Sequence, residues 1–503
     1  MQTIWLFTLT HFQDMSPSLL FLFVVIYFLG LLSVAWYTSR NSNNDSFFIG
    51  NRNSNWLLVA LGMVGTSMTG VTFLSVPGTV GTNHFGYFQI VIGYWLGYFV
   101  VAFVLLPLYY RLHLTSIYDY LYQRFGMVAY KTGSLFFIIS RTLGATARLY
   151  LVINVLQIFI LDKMNVPFWV TTSIVLIMIL LYTYEGGVKT IVFTDMLQTL
   201  FMLVALVVCI VYVMKHLDLS FFQTMDQLSL KGYTKVFNGD INSAGFWLKQ
   251  MVGGAFITIA MTGLDQEMMQ KNISVKRLKD SRKNIFTFST IMVLVNLMFL
   301  FLGGLLYLLA ASNNLDIKGD DLFPTIALNY LPAWVSIIFV IGIISTLFPG
   351  ADGAITAITS SFCIDILGLK RKENLNERGM KKTRITVHLF FTLIFLLCVI
   401  MFKLIDNKSI IDVILQLAGY TYGPLLGLFS FGILTKRNVP KGYATLWICL
   451  AAPVICYVIH LYGASLLGGF QIGIEMLLLN GLITFMGLWM ISYRHQSSDS
   501  GRG

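Results

Sequence analysis

Apolar residues fall in long runs separated by short polar breaks, with neither the alternation of strands nor the narrow stripe of a soluble helix. A membrane-spanning helix needs about 20 such residues. Runs of that kind lie near 18–37, 55–78, 84–108, 132–160, 165–183, 191–213, 247–269, 283–311, 333–365, 381–403, 411–434, 443–461 and 470–492, which predicts thirteen spans. Those from 132 and 333 are long enough to tilt or break. Residues 214–246 and the polar tail 494–503 read as loops. The first apolar run begins near Leu19 with no basic segment before it and no clear cleavage site, as expected of a retained span and not a signal peptide.

Composition narrows the class. Of 503 residues 56% are hydrophobic and 11% charged, whereas soluble domains carry about 25% charged residues. Mean hydropathy is +0.75. The chain is therefore expected to be an all-α integral membrane protein that crosses the bilayer many times. Cys209, Cys363, Cys398, Cys449 and Cys456 all lie in apolar runs, without the spacing of a metal knuckle or a disulfide framework, and read as small buried hydrophobes.

Charge sets the orientation. Lys+Arg 34 against Asp+Glu 23 gives a net +11, which in a soluble protein would suggest nucleic acid; here no nucleic-acid partner is expected. Lys271, Lys276, Arg277, Lys279, Arg282 and Lys283 separate the seventh and eighth spans. Lys370, Arg371, Lys372, Arg378, Lys381, Lys382 and Arg384 separate the ninth and tenth. Lys436, Arg437 and Lys441 follow the eleventh. The loop 312–332 has Asp316, Asp320 and Asp321 against Lys318. The positive-inside rule then places the N-terminus outside and the C-terminus in the cytoplasm of a cell-membrane protein.

Two spans have weak points. Gly65-Thr66-Ser67-Met68-Thr69-Gly70 lies near the centre of the second, and Gly253-Gly254-Ala255 with Thr258, Thr262 and Gly263 interrupts the seventh. Such stretches either unwind at a binding site or let helices pack closely. Charges inside spans cost at least about 2.5–3.5 kcal/mol each to insert, so each asks for a function or a partner. Arg148 is central in its span with Arg141 one to two turns earlier, Asp195 lies inside the sixth span and Asp352 inside the ninth. Arg148 suits a carboxylate, held bidentately, or a structural pair with Asp352 or Asp195.

Several motifs in order resemble the sodium:solute symporter family. They are Glu185-Gly186-Gly187-Val188-Lys189 through Thr194-Asp195 to Gln198, then Thr262 to Lys271 running into Leu278 to Lys283, then Ala351-Asp352-Gly353 with Ile364-Asp365-Ile366, and Tyr420-Thr421-Tyr422-Gly423-Pro424 through Lys436-Arg437 to Lys441-Gly442. The resemblance covers roughly 20–490. It implies a LeuT-like fold, ten core helices in two inverted repeats with one helix before and two after. The divisions are 1–54 for the extracellular N-terminus, first peripheral helix and loop, 55–213 for the first five-helix repeat, 214–246 for an extracellular loop, 247–434 for the second repeat, and 435–503 for two peripheral helices and the tail. It also implies a non-enzymatic transporter that couples inward sodium movement to import of a small polar solute.

By the same resemblance, sodium is held by carbonyls of Gly65 and Met68 and by Thr346. The two positions that usually supply hydroxyls are Pro349 and Gly350, flanked by Asp352, and a further sodium in some members sits near the equivalent of Asp195. Without the hydroxyls three outcomes are open. Pro349 breaks its helix and frees carbonyls of Ser345 or Thr346, Asp352 joins as a ligand or proton carrier, or the site is lost. The implied solute contacts are Ser67, Thr72, Gln89, Arg148, Thr258, Gln416 and Tyr420. Arg148 favours an organic anion, and Thr72, commonly a long amide in sugar-binding members, disfavours a sugar. A single chain in the bilayer is expected to suffice. The rival readings are a proton-coupled or uncoupled carrier of the same fold and a membrane sensor without flux.

Overall fold

The computed structural model describes residues 17–39, 52–371, 377–405, 410–466 and 471–493. The segment before 17, the first loop at 40–51, part of a basic loop at 372–376 and the tail from 494 lie outside the described residues. Within the described set the chain is almost entirely helical, with only isolated bridges between Ser54 and Val275 and between Asn438 and Tyr493.

The main helices are α1 (Pro17–Ser39), α2 (Trp56–Ser67), α3 (Gly70–Asn83), α4 (Tyr87–Val100), α5 (Met127–Leu156), α6 (Phe168–His216) and α7 (Trp247–Thr258). They continue with α8 (Gln266–Ile273), α9 (Leu278–Ser312), α10 (Ala333–Ser361), α11 (Glu377–Ile405), α12 (Ile410–Thr421), α13 (Gly423–Leu434), α14 (Ala444–Leu466) and α15 (Met476–Ile491). Their surface suits lipid. On α11, Leu389, Leu393, Leu397 and Met401 are exposed at four-residue spacing, while Val387, Phe391, Phe395, Val399 and Phe402 are buried on another face. A helix apolar on both its inner and outer faces is stable only where the surroundings are apolar too.

Among the described residues, eight helices are long and apolar enough to cross a membrane, or nine if α12 and α13, bent by 44°, form one span. The thirteen predicted spans differ from this where helices break or join. The second span is divided between α2 and α3. Two others, 165–183 and 191–213, fall within the single helical run α6. Its neighbours change along its length, and each stretch runs antiparallel to the helix it packs on: Phe168 meets Lys403 and Thr183 bonds His388 on α11, whereas Thr190 bonds Thr38 and Phe201 meets Tyr27 on α1.

Glycines set how closely the inner helices approach. A Cβ on Gly93 would collide with the carbonyl of Met251, one on Gly97 with that of Ala255, and one on Gly254 with that of Ile90. α4 and α7 therefore touch along a bare backbone seam. Gly303 of α9 meets the Pro77 carbonyl of α3 in the same way. α3 and α9 thus approach as closely as α4 and α7, and α4 also packs against α9.

A broken-helix candidate ion and solute site

The predicted weak point in the second span is a real break. α2 ends at Ser67, Met68 leaves helical geometry at φ −93°, ψ 78°, Thr69 is extended, and α3 starts at Gly70. The Met68 N–H closes on the Val64 carbonyl at 2.7 Å, and the next carbonyl to accept a helical N–H is that of Thr69, from Phe73 at 3.1 Å, so the carbonyls of Gly65 to Met68 have no helical donor. On the other side, Thr69 makes no side-chain cap to α3, whose first N–H groups are left free to bind a ligand. The break thus presents a negative helix end and a positive helix end at one depth.

Neighbouring helices hold it open. A Cβ on Gly65 would lie 2.5 Å from Thr199 Oγ1 and 3.1 Å from the Asp195 carbonyl, with Pro349 Cγ at 3.7 Å. A Cβ on Gly70 would strike Val152 and come within 3.5 Å of Thr346 Oγ1. A Cβ on Gly350 would meet Thr69 Cγ2 at 3.0 Å. Gly65, Met68, Thr346, Pro349 and Gly350 are therefore assembled around the break. Thr346 Oγ1 donates to the Ile343 carbonyl at 2.6 Å, which leaves its lone pairs for a cation.

Pro349 does not break its helix, because α10 continues through it to Ser361. Yet proline has no N–H, so the Ser345 carbonyl four residues earlier loses its helical donor. Asp352, one turn further on, is buried and accepts the Gly353 N–H at 2.5 Å.

Asp195 does not face an open cation position. Its Oδ2 accepts from Lys271 Nζ at 2.7 Å and from Thr66 Oγ1 at 3.1 Å, and Lys271 also reaches Thr66 Oγ1 at 2.5 Å. Sequence patterning groups Lys271 with the basic loop residues, but it is buried. Its ammonium is drawn inward by Asp195 and by Glu267, at 3.5 Å. Arg141 joins the same network through Glu267 Oε2, with Asp265 Oδ2 at 3.9 Å. Tyr422 donates to that Asp265 oxygen at 2.9 Å. The i, i+4 pair Glu267/Lys271 was the sequence signal for this cluster, and the proximity of basic residues hid it.

The predicted solute contacts divide into two places. Ser67, Thr72, Arg148 and Thr258 line a cavity of about 120 Å³ beside the break. Gln89, Gln416 and Tyr420 line a vestibule of about 850 Å³, which shares Tyr87, Ile411 and Leu415 with that cavity. Gln89 is engaged with loop backbone, donating to Gly86 O at 3.0 Å and accepting from Asn238 N at 3.3 Å. Arg148 makes no ion pair or hydrogen bond with any described residue; the carboxylates weighed as its partners are elsewhere, Asp195 on Lys271 and Asp352 on its own helix. Tyr87, Tyr94 and Tyr98 also face the cavity, a contribution that sequence reasoning did not single out among so many aromatic residues.

A helix broken beside a cavity that meets a larger vestibule at Tyr87, Ile411 and Leu415 and a buried ion-pair network at Thr66 and Arg141 is an arrangement that suits a secondary transporter. The sequence model of the sodium:solute symporter family matches residues 47–448, and the chain belongs to that family. A sodium/sialic acid symporter of Proteus mirabilis (strain HI4320) is 22% identical over 87% of this chain and 88% of its own. A putative sodium-dependent multivitamin transporter of Drosophila melanogaster is 25% identical over 82% and 69%. The solved substrate-bound outward-open state of a Na+-coupled sialic acid symporter superposes with TM-score 0.80 at 19% identity, covering 94% of this chain and 97% of that one. The fold is LeuT-like. The protein is a multi-pass membrane transporter, not an enzyme, of a family whose coupling ion is sodium.

Proposed function

We propose that the protein imports a small organic anion with sodium across the cell membrane, N-terminus outside and C-terminus in the cytoplasm, as a single chain in the bilayer. The observation that carries the anion is Arg148, unpaired among the described residues and lining the cavity beside the uncapped start of α3. A guanidinium and a helix N-terminus both stabilise a carboxylate, and in a low-dielectric cavity each counts for more than in water. Thr72, Thr258 and Ser67 supply hydroxyls around it. Sodium is assigned to the opposite end of the break, with carbonyls of Gly65 and Met68, Thr346 Oγ1 and the Ser345 carbonyl as its oxygens.

The cycle follows from this pairing. Sodium draws the end of α2 and α10 together, which orders the cavity for the anion; occupancy then favours closure of the vestibule and opening past the Lys271 network. Coupling requires sodium to bind the outward state more tightly than the inward one, since equal affinity shifts no population. The units 55–213 and 247–434 serve as the two inverted repeats, led by the broken α2/α3 and the bulged α7/α8 respectively. A second reading, a carrier of the same fold without ion coupling, is favoured by the lack of hydroxyls at Pro349 and Gly350.

Uptake by purified protein in liposomes decides between them. Labelled sialic acid, a short monocarboxylate, iodide and a neutral sugar are offered under an inward sodium or potassium gradient. Sodium-stimulated accumulation of an anion supports the main reading; equilibration without accumulation in either salt supports the second. Accumulation of the neutral sugar alone overturns the anion assignment.

A further inference from the structure

Lys271 is an amine in a place built for a cation. Its Nζ is held by Asp195 Oδ2 at 2.7 Å and Thr66 Oγ1 at 2.5 Å, with Glu267 Oε1 at 3.5 Å, and all four side chains are buried. Thr66 belongs to the last turn of α2, directly before the break, and Asp195 to the second half of α6. The second carboxylate oxygen, Asp195 Oδ1, is buried without a hydrogen-bond partner among the described residues. A carboxylate with a spare oxygen, a threonine hydroxyl and a second carboxylate make an oxygen-rich nest that a hard monovalent cation would fill as readily as an ammonium group.

We propose that Lys271 is a tethered cation that occupies this nest permanently and excludes a mobile sodium ion from it. The residue thereby sets the ion stoichiometry of the symport proposed above, on which this inference rests. A free ion that binds outside and leaves inside counts once in every cycle. An ammonium on a side chain of α8 cannot leave, so it balances Asp195 without being transported. The only mobile sodium is then the one at Gly65, Met68 and Thr346. The lysine also ties α8 to α2 and α6, so the nest stays intact at every sodium concentration.

The test is equilibrium binding of radioactive sodium to the purified full chain, with thermal melting in sodium and in potassium as the fold control. Wild type should bind one sodium per chain. Lys271→Met should bind two, and should melt at a higher temperature in sodium than in potassium by a wider margin than wild type. Adding Asp195→Asn to Lys271→Met should remove the extra ion. A wild type that binds two ions overturns the proposal, as does a folded Lys271→Met with no gain. Lys271→Met that is unfolded in sodium while the double variant folds also overturns it, because sodium then cannot replace the amine. If wild type binds none, the coupling site proposed at the break fails; a gain of one ion in Lys271→Met would still uphold the tethered cation, and no gain would sink both.

Discussion

Two arginines two helical turns apart on α5 have opposite surroundings, and the difference predicts opposite phenotypes. Arg141 is buried against Glu267 and Asp265, so Arg141→Ala leaves buried carboxylates short of a counter-charge and should lower stability by about 3–5 kcal/mol. Arg148 has no such partner among the described residues and faces the cavity. Arg148→Ala should leave the melting temperature within a few degrees of wild type and reduce anion uptake by about tenfold or more, since a lost charged hydrogen bond is worth about 1.5–3 kcal/mol. Uptake and melting measured on both variants check the pair. A large loss of stability in Arg148→Ala with affinity intact would make it a structural residue. Sequence shows that both arginines lie inside a span; it does not show which one finds the carboxylates, because Asp265 and Glu267 are more than a hundred residues away.

At the scale of helices, the break is where local sequence speaks most directly. Gly65 and Gly70 bracket the point where α2 stops and α3 starts, and the small, hydroxylated run between them is legible by composition. The particular pivot, Met68, is not, because it depends on Thr199, Val152 and Gly350 pressing from other helices. A valine at Gly65 has to move the Asp195 backbone as well as Thr199. Gly65→Val should therefore abolish sodium-stimulated uptake, read against melting to confirm a folded protein. Pro349→Ala restores an N–H to cap the Ser345 carbonyl. It is expected to weaken sodium affinity about tenfold, the cost of about 1.4 kcal/mol from one lost oxygen, while making α10 no less stable. Stronger sodium binding in this variant would mean that the carbonyl is not a ligand. Two apolar runs separated by Glu185-Gly186-Gly187-Val188-Lys189 were visible in α6, but their joining into one helical run was not.

For the molecule as a whole, the cavity lies between the vestibule, which it meets at Tyr87, Ile411 and Leu415, and the charge network, which it meets at Thr66 and Arg141. With one mobile sodium and a fixed lysine, import of a monovalent anion moves no net charge. Monocarboxylate uptake should then be insensitive to a membrane potential set with potassium and valinomycin, whereas two mobile sodium ions would make a negative interior accelerate it. The fold class was legible because lipid demands long apolar runs with their backbone bonds satisfied internally. How those runs associate was less so, because closeness between helices is written in the absence of side chains. The backbone seam between α4 and α7 has a consequence for how the chain tolerates change. Substituting every position in turn and selecting for uptake should reveal a line of failures at 93, 97 and 254, where even an added methyl forces carbonyls apart, beside lipid-facing neighbours such as Leu96 that accept many apolar replacements.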